Sequence, residues 1–342
     1  MKNDCWLTDL VKNNFVFTPE RNMNPILPGT PWLIAHKSML KINKPHKITL
    51  NGRDYVLWRN LKGEVFALDN ICPHMQAPLD KGWVCAERDT ITCPFHALEF
   101  DGKGRLFQER KFSSEALAHS LELTLIGDCV WTYGGCEARL PIPDVIEKRS
   151  EGFRFVGVAG NHSVQGDFLS NLLINYDYNH IKGTHRELFN IQANEISNYE
   201  TNDYEIKLDQ KIIREKNSFK ELLINPIVGI LPKIYLNRFE YSFPSLNTLV
   251  GEFPVGKVLQ VIVIYPETEN RTKTFTLVYA QSNPVLLGLL KKFLLGSVAE
   301  IVKQDIATVE NLYPRQPPKI KLPLENIMFY AEKLYRNWER QN

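Results

Sequence analysis

The sequence predicts an α+β protein: a small, mostly β domain followed by a larger domain whose antiparallel strands precede its helices. Three observations carry this. The 342 residues exceed one typical core and imply two domains. The first hundred residues after an irregular start alternate apolar and polar residues between turn signals. The second part sets strand-like runs ahead of two long helical segments, the order expected of helices laid on one sheet.

Residues 1–29 are polar and irregular and read as an arm. From Pro31 to Tyr133 short strands dominate, with Asn51-Gly52 inside HKITLNGRDYVLWRN as a hairpin signal and Asp101-Gly102 as a second turn. Pro141, Pro143 and Asp144 mark the boundary, giving domains 30–143 and 144–342. Beyond it, 167–186 reads as helix, 203–214, 235–243, 248–265 and 272–280 as strands, 284–312 as a long helix, and 325–340 as a last helix after a Pro-rich connector.

Composition excludes some classes. At 44% hydrophobic and 23% charged, with a net charge of +2, the chain is an ordinary globular protein without the basic bias that nucleic acid demands. The opening residues lack an apolar signal core, and six cysteines are too few for a disulfide framework, so a cytoplasmic location is expected. Residues 284–302 are apolar, yet Lys291 and Lys292 sit mid-stretch, at a cost of roughly 2.5–3.5 kcal/mol each in a bilayer. Leu286, Leu289, Leu290, Phe293, Leu294, Val298, Ile301 and Val302 follow helical spacing, so this segment reads as an amphipathic helix packed on a core, with attachment to a membrane surface the lesser alternative.

The sharpest motif is Cys72-Pro73-His74, eighteen residues, then Cys93-Pro94-Phe95-His96. Two thiolates for one iron and two imidazoles for the other are the ligands of a Rieske [2Fe-2S] cluster. Structural zinc could use two Cys and two His, but rarely in C-x-H form with so long a gap in a strand-rich domain. Cys85, between the pairs, reads as a core residue. Further on, Asp177, His180 and His185 form D-x-x-H-x-x-x-x-H. The two histidines lie about 140° apart on a regular helix, so convergence needs a helix end or bulge, which Gly183 permits. Two His and one carboxylate on one face are the usual ligands of non-haem oxygenase iron. Extending the apolar stripe of 284–302 reaches Asp305 and leaves Glu300, Lys303 and Gln304 off it; Asp203 and Glu310 are rivals, and pairing of Asp305 with Arg186 or Arg238 is the bland alternative.

With both motifs in place, the chain resembles the Rieske non-haem iron oxygenases from about residue 30 onward. It departs from the usual pattern where Met75-Gln76 stand for Arg-Gly and Ala97-Leu98 for Gly-Trp, marking a divergent subgroup. The resemblance implies a Rieske domain followed by a helix-grip (START-like) catalytic domain. It implies cluster ligation by Cys72, His74, Cys93 and His96, mononuclear Fe(II) on His180, His185 and Asp305, and Asp177 as the bridge from one subunit's cluster to the next subunit's iron in a head-to-tail homotrimer. It implies O2, a hydrophobic small-molecule substrate, and a ferredoxin or flavin reductase as donor, since no G-x-G-x-x-G follows a strand. Asn175 would stand behind the ligands. Lys81, Arg88, Lys103 and Arg105 are candidates to dock the donor, and Tyr176, Tyr178, Phe189, Phe239 and Tyr241 to line a pocket. The ending PRQPPKIKLPLE is similar to the tails of vanillate demethylase and ketosteroid hydroxylase oxygenases, which favours hydroxylation or demethylation. An electron-transfer or ligand-binding protein without oxygenase chemistry is the alternative.

Overall fold

The computed structural model describes residues 24–215, 223, 232–253 and 256–338. Most of the arm and the last four residues lie outside this range. Strands β1 (Trp32–His36), β2 (His46–Leu50), β3 (Arg53–Arg59), β4 (Val65–Asp69), β5 (Trp83–Cys85), β6 (Thr90–Thr92), β7 (Glu99–Phe100), β8 (Arg105–Gln108), β9 (Lys111–Ala116), β10 (Thr124–Ile126) and β11 (Cys129–Thr132) build three small sheets, ordered β1-β11-β10, β2-β3-β4 and β5-β6-β7-β8-β9. Asn51 and Gly52 take φ of 49° and 77°, the paired left-handed conformation of a tight hairpin. In the Asp101-Gly102 turn it is Gly104 that takes the left-handed conformation, at φ 79°, and a Cβ there would stand 1.8 Å from the Ala118 carbonyl.

The second part carries one antiparallel sheet of seven strands, ordered β12-β18-β17-β16-β15-β14-β13. Its members are β12 (Arg154–Gln165), β13 (Ile191–Asn202), β14 (Glu205–Arg214), β15 (Ile234–Ser242), β16 (Leu246–Phe253), β17 (Gly256–Thr268) and β18 (Arg271–Gln281). Alternate residues of β14, from Ile206 to Arg214, are buried, as period-two side chains on a half-covered sheet must be. The helices are α1 (Val145–Ser150), α2 (Phe168–Tyr176), α3 (Ile181–Thr184), α4 (Arg186–Phe189), α5 (Pro284–Glu310) and α6 (Glu325–Asn337).

Three expectations need correction. The run 248–265 is two strands, β16 and β17, rather than one. The helix expected over 167–186 ends at Tyr176, because Asp177 leaves helical geometry and turns its carboxylate onto the Asn179 amide. The stripe on α5 is not packed on a solid core: only Val298, Val302 and Val309 are buried, and Leu289 is 78% exposed. Most of that stripe faces a cavity between α5 and the sheet.

Helix α5 starts where Asn283 caps the amides of Val285 and Leu286, with Pro284 in the first turn. It runs along β12 at close range. At Gly160, which has φ 56°, a Cβ would stand 2.7 Å from Val302 Cγ1. The domains are locked together at both ends. The β2–β3 hairpin donates Asn51 and Gly52 amides to the Pro266 and Glu267 carbonyls. Trp338, beyond α6, donates its indole N–H to the Pro28 carbonyl while the Arg139 guanidinium lies 4.3 Å from its ring centre.

Candidate functional site

The two Cys–His pairs sit on loops of matching geometry. Cys72 accepts from the Gln76 amide and donates to the Ala77 carbonyl; Cys93 accepts from the Ala97 amide and donates to the Leu98 carbonyl. Each loop closes on a left-handed residue, Gln76 at φ 56° and Ala97 at φ 54°. Those are positions where the resembled family uses glycine, so this chain keeps the bend and accepts the Cβ strain. The two sulfurs are buried and the two imidazoles exposed, with Nδ1 of His74 and Nδ1 of His96 facing each other at 3.1 Å. Burial, with the neighbouring Cys93 thiol, pushes the Cys72 thiol up, while the backbone N–H groups of His74 and Met75 favour its thiolate. A buried thiol pair backed by amides under two bare ring nitrogens fits a positively charged iron–sulfur group. Phe95 lies against the His96 ring, with centres 4.2 Å apart, and Met75, next to His74, and Trp83, paired with Thr92, are also exposed. Cys85 is half-buried at the end of β5.

The other constellation forms where α2 ends. His180, at the start of α3, hydrogen-bonds through Nδ1 to the Asp177 carbonyl. His185, fully buried between α3 and α4, hydrogen-bonds through Nδ1 to Gln304 Oε1 at 2.9 Å. Both acceptors are oxygen, so each Nδ1 carries the proton and each Nε2 turns inward as a donor of electrons. Asp305 Oδ1 lies 3.1 Å from Nε2 of His185 and 3.4 Å from Nε2 of His180. The helix end thus supplies the convergence that a regular helix denies to the two histidines.

That carboxylate oxygen is buried without a hydrogen bond of good geometry. Three electron-rich atoms facing one another call for a positive charge. In the metal-free chain a proton partly fills that role. Burial lowers the His180 pKa, but Asp305 and Asp177 outweigh it and hold the ring above its ordinary value. Burial raises the Asp305 carboxyl, but His180 and His185 outweigh it and hold it below the usual carboxylate range. One oxygen and two imidazole nitrogens, gathered from the three residues that form a potential metal-holding group, suit a divalent transition metal with open positions.

The other sequence candidates resolve as follows. Glu310 accepts from the Gln165 amide, Asp203 sits in the β13–β14 turn, Arg238 pairs with Asp209 and Arg186 is exposed, so none of them meets the histidines. Asn175 lines the cavity and bonds the Asn171 carbonyl. Tyr178, Phe189, Phe239 and Tyr241 line it too, whereas Tyr176 is stacked on Tyr241 in the core. Arg88 and Arg105 are held by Glu99 and Asp101, and Lys81 by Asp80. Sequence reasoning missed Gln304, having placed it off the apolar stripe. It also missed Gln210 and Asn237, polar residues at inward positions of β14 and β15. A polar residue in phase with Ile206, Leu208 and Ile212 was the available signal.

Residues 30–120 match the Rieske [2Fe-2S] domain. Among relatives, the chain is 26% identical to the oxygenase component of dicamba O-demethylase from Stenotrophomonas maltophilia, over 69% of this chain and 68% of that one. It is 24% identical to a cholesterol 7-desaturase of Ciona intestinalis, over 42% of this chain and 31% of that one. It is 34% identical to the 4beta-methylsterol monooxygenase of Methylococcus capsulatus, over 23% and 21%. The chain thus spans under a third of these two sterol-enzyme relatives. The crystal structure of dicamba monooxygenase bound to dicamba superposes with a TM-score of 0.73 at 20% identity, covering 93% of this chain and 99% of that one. Pseudomonas putida NdmA with caffeine gives 0.63 at 13% identity, covering 92% and 91%. The α+β expectation and the resemblance to Rieske non-haem iron oxygenases are borne out, the first by the whole-length fold match and the second in the cluster domain and the long relative. The zinc reading gives way to the Rieske match.

Proposed function

We propose that this chain is the terminal oxygenase component of a Rieske non-haem iron system, using O2 and externally supplied electrons to hydroxylate or oxidatively demethylate a hydrophobic small molecule. The observation that carries the reading is the His180–His185–Asp305 set opening into an apolar cavity, downstream of a Rieske domain. We divide the chain into a cluster domain, 30–143, and a catalytic domain, 144–342, in a cytoplasmic protein. Among the described residues no helix is long and apolar enough to cross a membrane.

In this reading Cys72, Cys93, His74 and His96 hold the [2Fe-2S] cluster, and His180, His185 and Asp305 hold Fe(II). A mononuclear iron there supplies reductive activation of dioxygen with electrons relayed from the cluster. The net reaction takes one C–H bond, O2, two electrons and two protons to C–OH and water. The protein's own contribution is positional. Gln304 and the Asp177 carbonyl fix both imidazole tautomers. The apolar walls exclude water from the reacting carbon. Asp177 receives an Asn179 N–H on one carboxylate oxygen, leaving the other to meet a cluster histidine of a neighbouring subunit. A head-to-tail homotrimer provides that neighbour and covers Met75, Phe95 and Trp83. A ferredoxin or flavin reductase provides electrons.

The test is a single turnover of chemically reduced, metal-replete protein with ¹⁸O2 and a panel of apolar substrates. Labelled oxygen in a product, abolished by His180→Ala, is the expected result. Cluster reoxidation with no product from any substrate, at full iron content, would favour the electron-transfer alternative.

A further inference from the structure

The cavity has a volume of about 260 Å³. Its lining follows α5 from Leu287 past Asp305, and the eighteen residue steps between those two span roughly 27 Å at about 1.5 Å each. The lining thus extends along α5 instead of gathering at one turn of it. Near Asp305 its walls are buried at His185, Val302 and Val309; at the far end Lys257 is exposed.

Charge narrows what fits. Besides the three proposed ligands, the charged groups on the lining are Asp177 and Lys257, among the described residues. Lys257 stands at the rim and is paired with Glu252 at 2.9 Å. Among the described residues no Lys or Arg side chain faces inward to hold a carboxylate, and the charge of the proposed iron is opposed by Asp305 and Asp177, so an anionic substrate would be buried without a partner of its own, at a desolvation cost.

Polarity narrows it further. Gln210 and Asn237 line the cavity from the sheet side, 2% and 7% exposed. They bond each other once, Asn237 Nδ2 to Gln210 Oε1 at 3.0 Å. That leaves the Gln210 amide nitrogen and the Asn237 amide oxygen without a protein partner, and flipping both amides would still leave one donor and one acceptor. Neither atom is sealed inside the protein; both are open to the cavity, where water holds them until a ligand group that can replace its hydrogen bonds arrives. A hydroxyl, which donates and accepts at one atom, satisfies both.

We infer that the molecule taken by this cavity is an elongated, neutral, lipid-like alcohol, its hydroxyl held by Gln210 and Asn237 and its apolar body lying along α5. Naming it the substrate rests on the oxygenase reading; its binding does not. A rigid sterol-type body and a straight chain share this chemistry, and the experiment separates them.

The experiment is equilibrium binding to oxygen-free, metal-replete full-length protein, without turnover. The probes are 5α-androstan-3β-ol and 5α-androstane, hexadecan-1-ol and hexadecane, and 2-methoxybenzoate. At least one alcohol should bind tenfold or more tightly than its hydrocarbon, and the benzoate more weakly than that alcohol. Preference for the steroid pair identifies a rigid ligand, preference for the chain pair a flexible one. Gln210→Met and Asn237→Leu, checked for unchanged melting, should each abolish the alcohol preference. Benzoate binding more tightly than both alcohols, no alcohol preference in either pair, or a preference that survives in both variants, would overturn the inference. Loss of turnover with these binding results intact would sink only the oxygenase reading.

Discussion

Replacing Gln304 by leucine removes the acceptor of the 2.9 Å bond from His185 Nδ1. His185 is 3% exposed, so water cannot take the acceptor's place. An orphaned buried N–H costs about 1–3 kcal/mol. Without its partner the ring is also free to move its proton to Nε2, the atom that faces Asp305. While the orphaned N–H itself lowers the stability of the fold, loss of such a supporting bond typically weakens metal binding about 10–100-fold, or roughly 1.4–2.7 kcal/mol. Titration of iron against a calibrated chelator, with the cluster counted separately by absorbance, measures this directly. Gln304→Glu keeps an acceptor and strengthens it, so its iron affinity should equal or exceed that of the parent. Melting of the metal-free proteins separates a fold defect from a site defect. If Gln304→Leu holds iron within twofold of the parent, the positioning argument is wrong.

Three other outcomes follow from the same geometry. Ala97→Gly relieves about 1–2 kcal/mol of left-handed strain and returns about 0.5–1 in chain entropy, so denaturation of cluster-loaded protein should show a gain of about 0.5–1 kcal/mol. Gly160→Ala meets both a positive φ and a 2.7 Å approach to Val302, so it should destabilise by roughly 1–3 kcal/mol and, by shifting the helix that carries Asp305, weaken iron binding in the chelator assay. In metal-free protein, Asp305 has a lowered pKa and His180 a raised one. Their contribution is complete between the unfolded-state values of about 3.9 and 6.5, is lost as pH falls through the depressed Asp305 value, and is lost as pH rises through the raised His180 value. Stability measured against pH should show His180→Ala flattening the alkaline limb.

The two Cys–His loops were legible because the ligands of a Rieske cluster must alternate Cys and His at short spacing, a pattern that core packing does not generate. Asp305 was legible from helix phase alone, since a carboxylate on an otherwise apolar stripe needs a reason. The same stripe misled on packing: a helix face turned to a cavity has the residues of one turned to a core. Strands β12 and β13 escaped notice, β12 because Gly157 and Gly160 interrupt its pattern, and β13 because most of it from Asn198 onward is exposed and polar. Gln304 escaped because a neutral amide carries no signal until the histidine across from it is placed. Asn51-Gly52 announced its hairpin but not that the hairpin tip would bond β17, a contact more than two hundred residues away.

Iron and sulfide content, with the EPR spectrum of dithionite-reduced protein, tests the central claim most directly when run beside His180→Ala. About three irons and two sulfides per chain, a Rieske signal in both proteins and one iron fewer in the variant are expected. Two irons in both proteins, or zinc in place of iron, would contradict the two-site oxygenase.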